Sequence, residues 1–521
     1  MRFFGIFIIG IISLLFVQCS KSESPEEKVI SLEKSQQKYY PASFKNDNRI
    51  NIISGLKEEI NQIFKKRSED MHYPGLAYGI VVDDSLIMTG QMGTLDIESN
   101  IPATPKSLFR IASMSKSFTA MTILHLRDEG KVFLDDPVSK YIPEIGNLTS
   151  LTKDSPEITL RNLLTMTAGF PEDNPWGDRQ LDATEEELID FIAGDVSFSS
   201  TPSTGYEYSN LGFALLGNVI TRVTGMPYQK YITETIFKPL KMSHTVWEYS
   251  EVADSLLAKG YRWEDARWKA EPLLHDGAYG SMGGIITSIE DFSRYVSFHL
   301  SAWPTRNEEE RGPVKRSSVR EMHQMHNPRL TNNGTGLNGQ FCSSVSGYGF
   351  GLRITNYCEG SWSAGHGGAL PGFASYYLFY PEYGIGIMAF CNLTYTSPAS
   401  AINKVAARIF QESSIAPREL PVSEILAQRK GEVYKLITTW DEDLEEGIVA
   451  MNLYMDKSRE SRMEDAKNKL AQIGKVISVG EIKPLNQLRG TFEIFGETDT
   501  LHVFFTLNPE KSPKVQRLDM W

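Results

Sequence analysis

A serine and a lysine three residues apart share one face of a helix. Near a helix N-terminus, the dipole and burial both lower the lysine pKa. A neutral amine can then take the serine proton and turn a weak nucleophile into a strong one. The spacing occurs five times, at Ser31/Lys34, Ser35/Lys38, Ser54/Lys57, Ser113/Lys116 and Ser150/Lys153. Two pairs fall in a polar stretch, one on the wet side of an amphipathic helix and one in a loop-like segment. Ser113/Lys116 sits in Phe109-Arg110-Ile111-Ala112-Ser113-Met114-Ser115-Lys116-Ser117-Phe118. A lysine in such apolar surroundings is costly without a task or a partner.

A second element is Tyr208-Ser209-Asn210, opening an apolar helix from Leu211. A tyrosine beside the lysine can relay its proton, and an asparagine amide can orient substrate and lysine. Packing and helix capping would explain the same residues without chemistry. A third is Gly365-His366-Gly367-Gly368-Ala369. Glycines on a strand let another backbone approach closely.

The order Ser-x-x-Lys, Tyr-x-Asn, His-x-Gly resembles the serine β-lactamase-like and penicillin-binding-protein superfamily, nearest its class C branch. Leu163-Leu164-Thr165-Met166-Thr167-Ala168-Gly169 and Ile236-Phe237-Lys238-Pro239-Leu240 are similar to that branch as well. The resemblance covers about residues 50 to 413. It implies an α+β fold, an antiparallel sheet flanked by helices with a helical lobe, and a site between them. It implies Ser113 as acyl-forming nucleophile, Lys116 as base, Tyr208 as proton relay and Asn210 as substrate positioner. His366, Gly368 and Ala369 would contact substrate, and the backbone N–H groups of Ser113 and Ala369 would form the oxyanion hole. His366 stands where many relatives carry a lysine. A histidine is mostly neutral at pH 7, so neutral esters or amides are expected to be favoured over carboxylate-bearing β-lactams. The expected activity is therefore an acyl-enzyme serine hydrolase acting on an ester, a D-amino-acid peptide or a β-lactam-like amide, with an esterase or D-peptidase ahead of a true β-lactamase. The alternative is an inactive envelope protein that binds peptidoglycan fragments or a partner in the same pocket. No cofactor or metal is expected. There is no Gly-x-Ser-x-Gly elbow and no phosphate loop. His323 and His326 read as a solvated helix face rather than zinc ligands.

The elements that must hold these residues follow from periodicity. The chain has 521 residues, 41% hydrophobic and 23% charged, with a net charge of −12 that argues against nucleic acid. Met1-Arg2, the apolar run Phe3 to Val17 and Cys19 fit a secretory signal of lipoprotein type over 1–19. Gln18 is bulkier than the residue usual before a lipidated cysteine, and Cys19 could instead be a free thiol in a discarded signal. The expected location is the bacterial envelope, with membrane anchoring through a lipid on Cys19. Residues 20–48 read as a polar tether, 49–414 as the catalytic domain and 420–521 as a small α+β accessory domain after a Pro-containing linker. Helices are expected over 50–64, 107–130, 159–167, 211–223 and from 289. Strands are expected over 76–82, 86–92, 374–379 and 385–392. Residues 302–346 read as an irregular insertion with a helix over 314–326. Cys342 and Cys358 could form a disulfide, or all three later cysteines could be buried thiols.

Overall fold

A computed structural model describes residues 38–194, 196–331, 336–337, 340–341 and 343–521. The signal, Cys19 and most of the tether lie outside the described residues.

The site is carried by a nine-stranded antiparallel sheet. Its order is Ile101–Pro102, Ser85–Asp96, Gly75–Val82, Ile385–Cys391, Phe373–Tyr380, Trp362–Leu370, Arg353–Tyr357, Ser344–Tyr348 and His326–Thr331. The central strands are apolar throughout because both faces are covered. Along Gly75–Val82, Tyr78, Ile80 and Val82 face one layer and Ala77 and Val81 the other, with the two-residue period of a strand. The first layer packs on Lys57–Asp70 and Ala399–Phe410, through Ile60, Phe64, Ile402 and Ile409. The second packs on Ile289–Ser301, through Phe292, Tyr295 and Val296, and continues into the helical lobe. That lobe contains Ser115–Asp128, Leu160–Leu164, Glu185–Ala193 and Asn210–Thr224.

Several elements differ from expectation. The helix expected over 50–64 is two, Arg49–Gly55 and Lys57–Asp70, parted at Leu56. Residues 107–130 are not one helix. They form a short strand Phe109–Arg110, a 3₁₀ turn Ala112–Met114 and the helix Ser115–Asp128. The helix expected over 159–167 runs from Leu160 to Leu164, with Thr159 as its capping-box residue. The insertion supplies the two outermost sheet strands, with a helix at Arg316–Met322. Ser344–Tyr348 is only partly buried along its middle, so its sequence stays polar. His323 is not on a wet face. It is buried, with Trp303 Nε1 donating to its Nδ1 at 3.0 Å and His299 Nδ1 2.9 Å from its Nε2. His326 begins a strand and stacks on Phe350.

Cys358 is disulfide-bonded, and Cys342, its expected partner, lies outside the described residues. Cys391 is a buried free thiol. At the linker, Arg418 pairs with Asp83 at 2.5 Å beside Arg49. Beyond it, four helices, Glu424–Thr439 to Arg459–Ile473, pack on a five-stranded antiparallel sheet with a separate apolar cluster. On Thr500–Leu507 the residues Leu501, Val503, Phe505 and Leu507 point inward and alternate with wetter ones.

Candidate active site

The nucleophile is placed by a backbone kink. Arg110 pairs with Ile286 at the end of the short strand, and Ser375 Oγ donates to Ile111 O at 2.7 Å. Ala112 then takes a left-handed φ of 51°, a conformation that costs a non-glycine residue of order 1 kcal/mol and favours functional turns. Ser113 follows at the centre of the 3₁₀ turn, one turn before Lys116.

Lys116 is fully buried. Its Nζ lies 3.1 Å from Ser113 Oγ, 2.6 Å from Asn210 Oδ1 and 3.1 Å from the Met282 carbonyl oxygen. The last two can only accept. A neutral amine has two N–H bonds and one lone pair, so the N–H bonds go to Asn210 and Met282 and the lone pair faces the serine hydroxyl. Burial lowers the Lys116 pKa from 10.5 to about 7, against the pull of Asp178 and Asp173.

Asn210 is the first residue of Asn210–Thr224. Ser209 Oγ caps the helix at Gly212 N, and the Asp173 carboxylate accepts from the backbone N–H of Asn210 and Leu211 at 2.7 and 2.8 Å. These caps fix the amide whose Oδ1 holds Lys116, while its Nδ2 donates to Asn174 Oδ1 at 2.7 Å. Tyr208 is buried one step earlier. It lines the same cleft as Ser113, and its ring lies 4.8 Å from Lys116 Nζ. Burial pushes the phenol pKa far up, so Tyr208 acts as a donor and relay rather than a free base.

Gly368 and Ala369 lie on Trp362–Leu370 and line the same open cleft as Ser113 and Tyr208. A Cβ on Gly368 would fall 2.2 Å from Ile111 O, so the glycine is needed for the strand to reach the nucleophile turn. His366 also lines the cleft, but its ring is spent inside the protein. Nδ1 donates to the Gly367 carbonyl, which fixes Nε2 as acceptor of the Tyr348 hydroxyl at 3.0 Å. Burial, then the charges of Arg353 and Lys116, hold it neutral. The expected direct contact of His366 with a substrate's polar end therefore has no free ring nitrogen to make it.

Two cleft residues were missed in the sequence. Arg353, from the neighbouring strand, is a permanent cation at the cleft mouth. Burial works against its charge, but Tyr206, Tyr208, Tyr348 and Tyr376 around it raise its pKa further. It has no ion-pair partner among the described residues. Asp178, on the 3₁₀ turn Gly177–Arg179, is a buried carboxylate in the same cleft. Neither belongs to a motif with a readable spacing.

The model of the family described as Beta-lactamase matches residues 60–411. The chain belongs to the Beta-lactamase family. Its members share a serine-hydrolase superfamily fold. Among curated relatives, this Beta-lactamase family chain is 32% identical over 274 residues to Beta-lactamase-like protein 2 of Dictyostelium discoideum, covering 51% of this chain and 49% of that protein. It is 28% identical over 347 residues to Protein flp of Staphylococcus aureus, covering 66% and 64%. The match thus spans about half to under two thirds of those relatives. Two solved structures share the fold. The octameric penicillin-binding protein homologue from Pyrococcus abyssi has a TM-score of 0.58 at 20% identity, over 89% of this chain and 95% of that one. A D-stereospecific amidohydrolase from Streptomyces has a TM-score of 0.53 at 22% identity, over 67% and 98%.

Proposed function

We propose that this chain is a serine hydrolase that forms an acyl-enzyme on Ser113 and cleaves an ester or D-amino-acid amide bond. The observation that carries the reading is the fully buried Lys116 Nζ, 3.1 Å from Ser113 Oγ, with the acceptor oxygens of Asn210 and Met282 as its other neighbours. Lys116 takes the hydroxyl proton as Oγ attacks the substrate carbonyl. Tyr208, beside Lys116 in the cleft, passes a proton to the leaving group and regains it from Lys116. The N–H groups of Ser113 and Ala369 are the proposed oxyanion donors, typically worth roughly 3 kcal/mol each.

Arg353 refines the substrate class. The sequence pointed to neutral substrates because His366 carries no charge, but the cleft has its cation on the adjacent strand. A carboxylate on the substrate gains a charge-assisted contact there at any working pH. We therefore favour D-amino-acid peptides with a free carboxylate. The amidohydrolase likeness supports a D-amino-acid amide and carries no weight for β-lactams.

The test is a covalent serine probe with mass mapping, followed by turnover of a neutral ester and a D-alanyl peptide. Ser113 should label, and Ser113→Ala should lose at least about 10³-fold in turnover. Arg353→Ala should raise KM for the peptide about tenfold and leave the neutral ester unchanged. A wild-type protein that does not label refutes the hydrolase and leaves the envelope-binder reading. Envelope anchoring through Cys19 is proposed from the sequence alone.

A further inference from the structure

We propose that Asp178 is the proton acceptor for the water that hydrolyses the Ser113 acyl-enzyme. The inference rests on the acyl-enzyme reading above and assigns its second half-reaction.

Asp178 is 2% exposed, lines the same cleft as Ser113, and has no ion-pair partner among the described residues. Burying an unpaired carboxylate is costly, and such groups gather at functional sites. The fold takes steps to keep it there. A Cβ on Gly177 would meet Asn210 Nδ2 at 2.9 Å, so glycine lets the turn settle directly on the catalytic amide. Asp178 Oδ1 then lies 3.5 Å from Asn210 Nδ2, on the other side of that amide from Lys116. Tyr395 lines the same cleft as Asp178 and has a left-handed φ of 46°.

The other cleft groups are poorly suited to accept a proton from water. Lys116 Nζ is enclosed and lies against the very oxygen that is esterified in the acyl-enzyme. Tyr208 is a phenol held protonated by burial. His366 Nε2 already accepts from Tyr348. Glu172 is exposed, with Oε1 taken by Asn174 Nδ2. Asp178 remains, and burial lifts its pKa to about 6, with Lys116 opposing. A carboxylate in that range is ionised at neutral pH and more basic than a surface aspartate.

The step balances without a further reactant. Water oxygen bonds to the acyl carbon as one water proton passes to Asp178. The bond between that carbon and Ser113 Oγ then breaks. Asp178 then passes its proton through cleft water to the departing Ser113 Oγ, and Lys116 stays neutral throughout. The products are the free acid, the serine hydroxyl, the carboxylate and the amine.

The experiment follows burst kinetics on a chromogenic acetate ester, with intact-mass detection of the acyl adduct, in wild type and Asp178→Asn. In the variant, acylation should stay within about threefold of wild type. Deacylation should fall at least about 100-fold, and the adduct should persist. In wild type, deacylation should rise between pH 5 and 7, and that rise should vanish in the variant. The charged and titratable groups facing Asp178 are Lys116, Asp173, Arg179 and Tyr395, so the profile is read against Lys116-limited acylation on the same samples. Equal slowing of both half-reactions would show that Asp178 only positions Asn210, and overturns the proposal. Should Asp178→Asn not fold, a wild-type deacylation rate that is flat from pH 5 to 7 overturns it equally. A wild type with no adduct at Ser113 fails the acyl-enzyme reading itself, before the variant is considered.

Discussion

Lys116→Met should make the protein more stable at pH 6 and less stable at pH 10. The unfolded lysine titrates near 10.5, and the buried one at about 7. Between those values the unfolded chain binds more protons than the folded one, so wild-type stability rises with pH across the window. At 1.36 kcal/mol per pKa unit the whole gap is about 5 kcal/mol. Below pH 7 that cost is fully present, and at pH 10 about 1 kcal/mol of it remains. Methionine fills similar space without charge, but leaves Asn210 Oδ1 and the Met282 carbonyl without their donor. Each loss costs about 1–2 kcal/mol at all pH values. The sum is a variant about 1–3 kcal/mol more stable than wild type at pH 6, and about 1–3 kcal/mol less stable at pH 10. Urea unfolding of both proteins, with folding checked by near-ultraviolet circular dichroism, measures the difference. A gap that does not change by at least about 2 kcal/mol between the two pH values would refute the buried neutral amine, and with it the base assigned to Ser113.

Other consequences can be measured separately. His299, buried against His323 with its Nε2 unpartnered among the described residues, is held down to about 3, so stability should fall as pH drops below 6.5, by about 2 kcal/mol at pH 5. His299→Leu should flatten that fall in urea titrations, and an unaltered slope contradicts it. Gly177→Ala should lower acylation about tenfold, because its Cβ meets the Asn210 side chain at 2.9 Å, and burst rates equal to wild type would exclude that crowding. A chain ending after Pro421 should still take the serine probe, since Arg418 and its pairing with Asp83 are retained and the last domain has its own apolar cluster. Loss of labelling in that folded truncation would place the domain in the site. Cys19→Ser should move the protein out of the membrane fraction, and unchanged fractionation argues against a lipid there.

What the sequence made legible follows from how each residue is held. Ser113 and Lys116 stood out because their neighbours are apolar, and burial is what makes a lysine reactive. Asn210 was legible because it opens a helix, where spacing and capping leave a pattern. The kink at Ala112 was hidden, because a left-handed turn is usually signalled by glycine, and here the surrounding contacts hold an alanine in it. The strands His326–Thr331, at the sheet edge, and Ser344–Tyr348, next to it, were hidden in polar sequence. His366 was found, but its role was misread, because nothing local reveals that Tyr348 satisfies its ring. Arg353 and Asp178 were missed because each is brought to Ser113 by the tertiary fold alone.

The sheet pairs Gly75–Val82 with Ile385–Cys391, two strands separated by some 300 residues of chain. The helical lobe is therefore a long excursion between two central neighbours. On a ribosome, Ser113 and Lys116 emerge early, but the platform beneath them cannot close until the strand ending at Cys391 is free. A chain interrupted anywhere in between leaves the apolar edge of Gly75–Val82 open to other chains. The nucleophile is thus assembled last, after most of the polypeptide has been made, and a partly synthesised protein would carry no active serine.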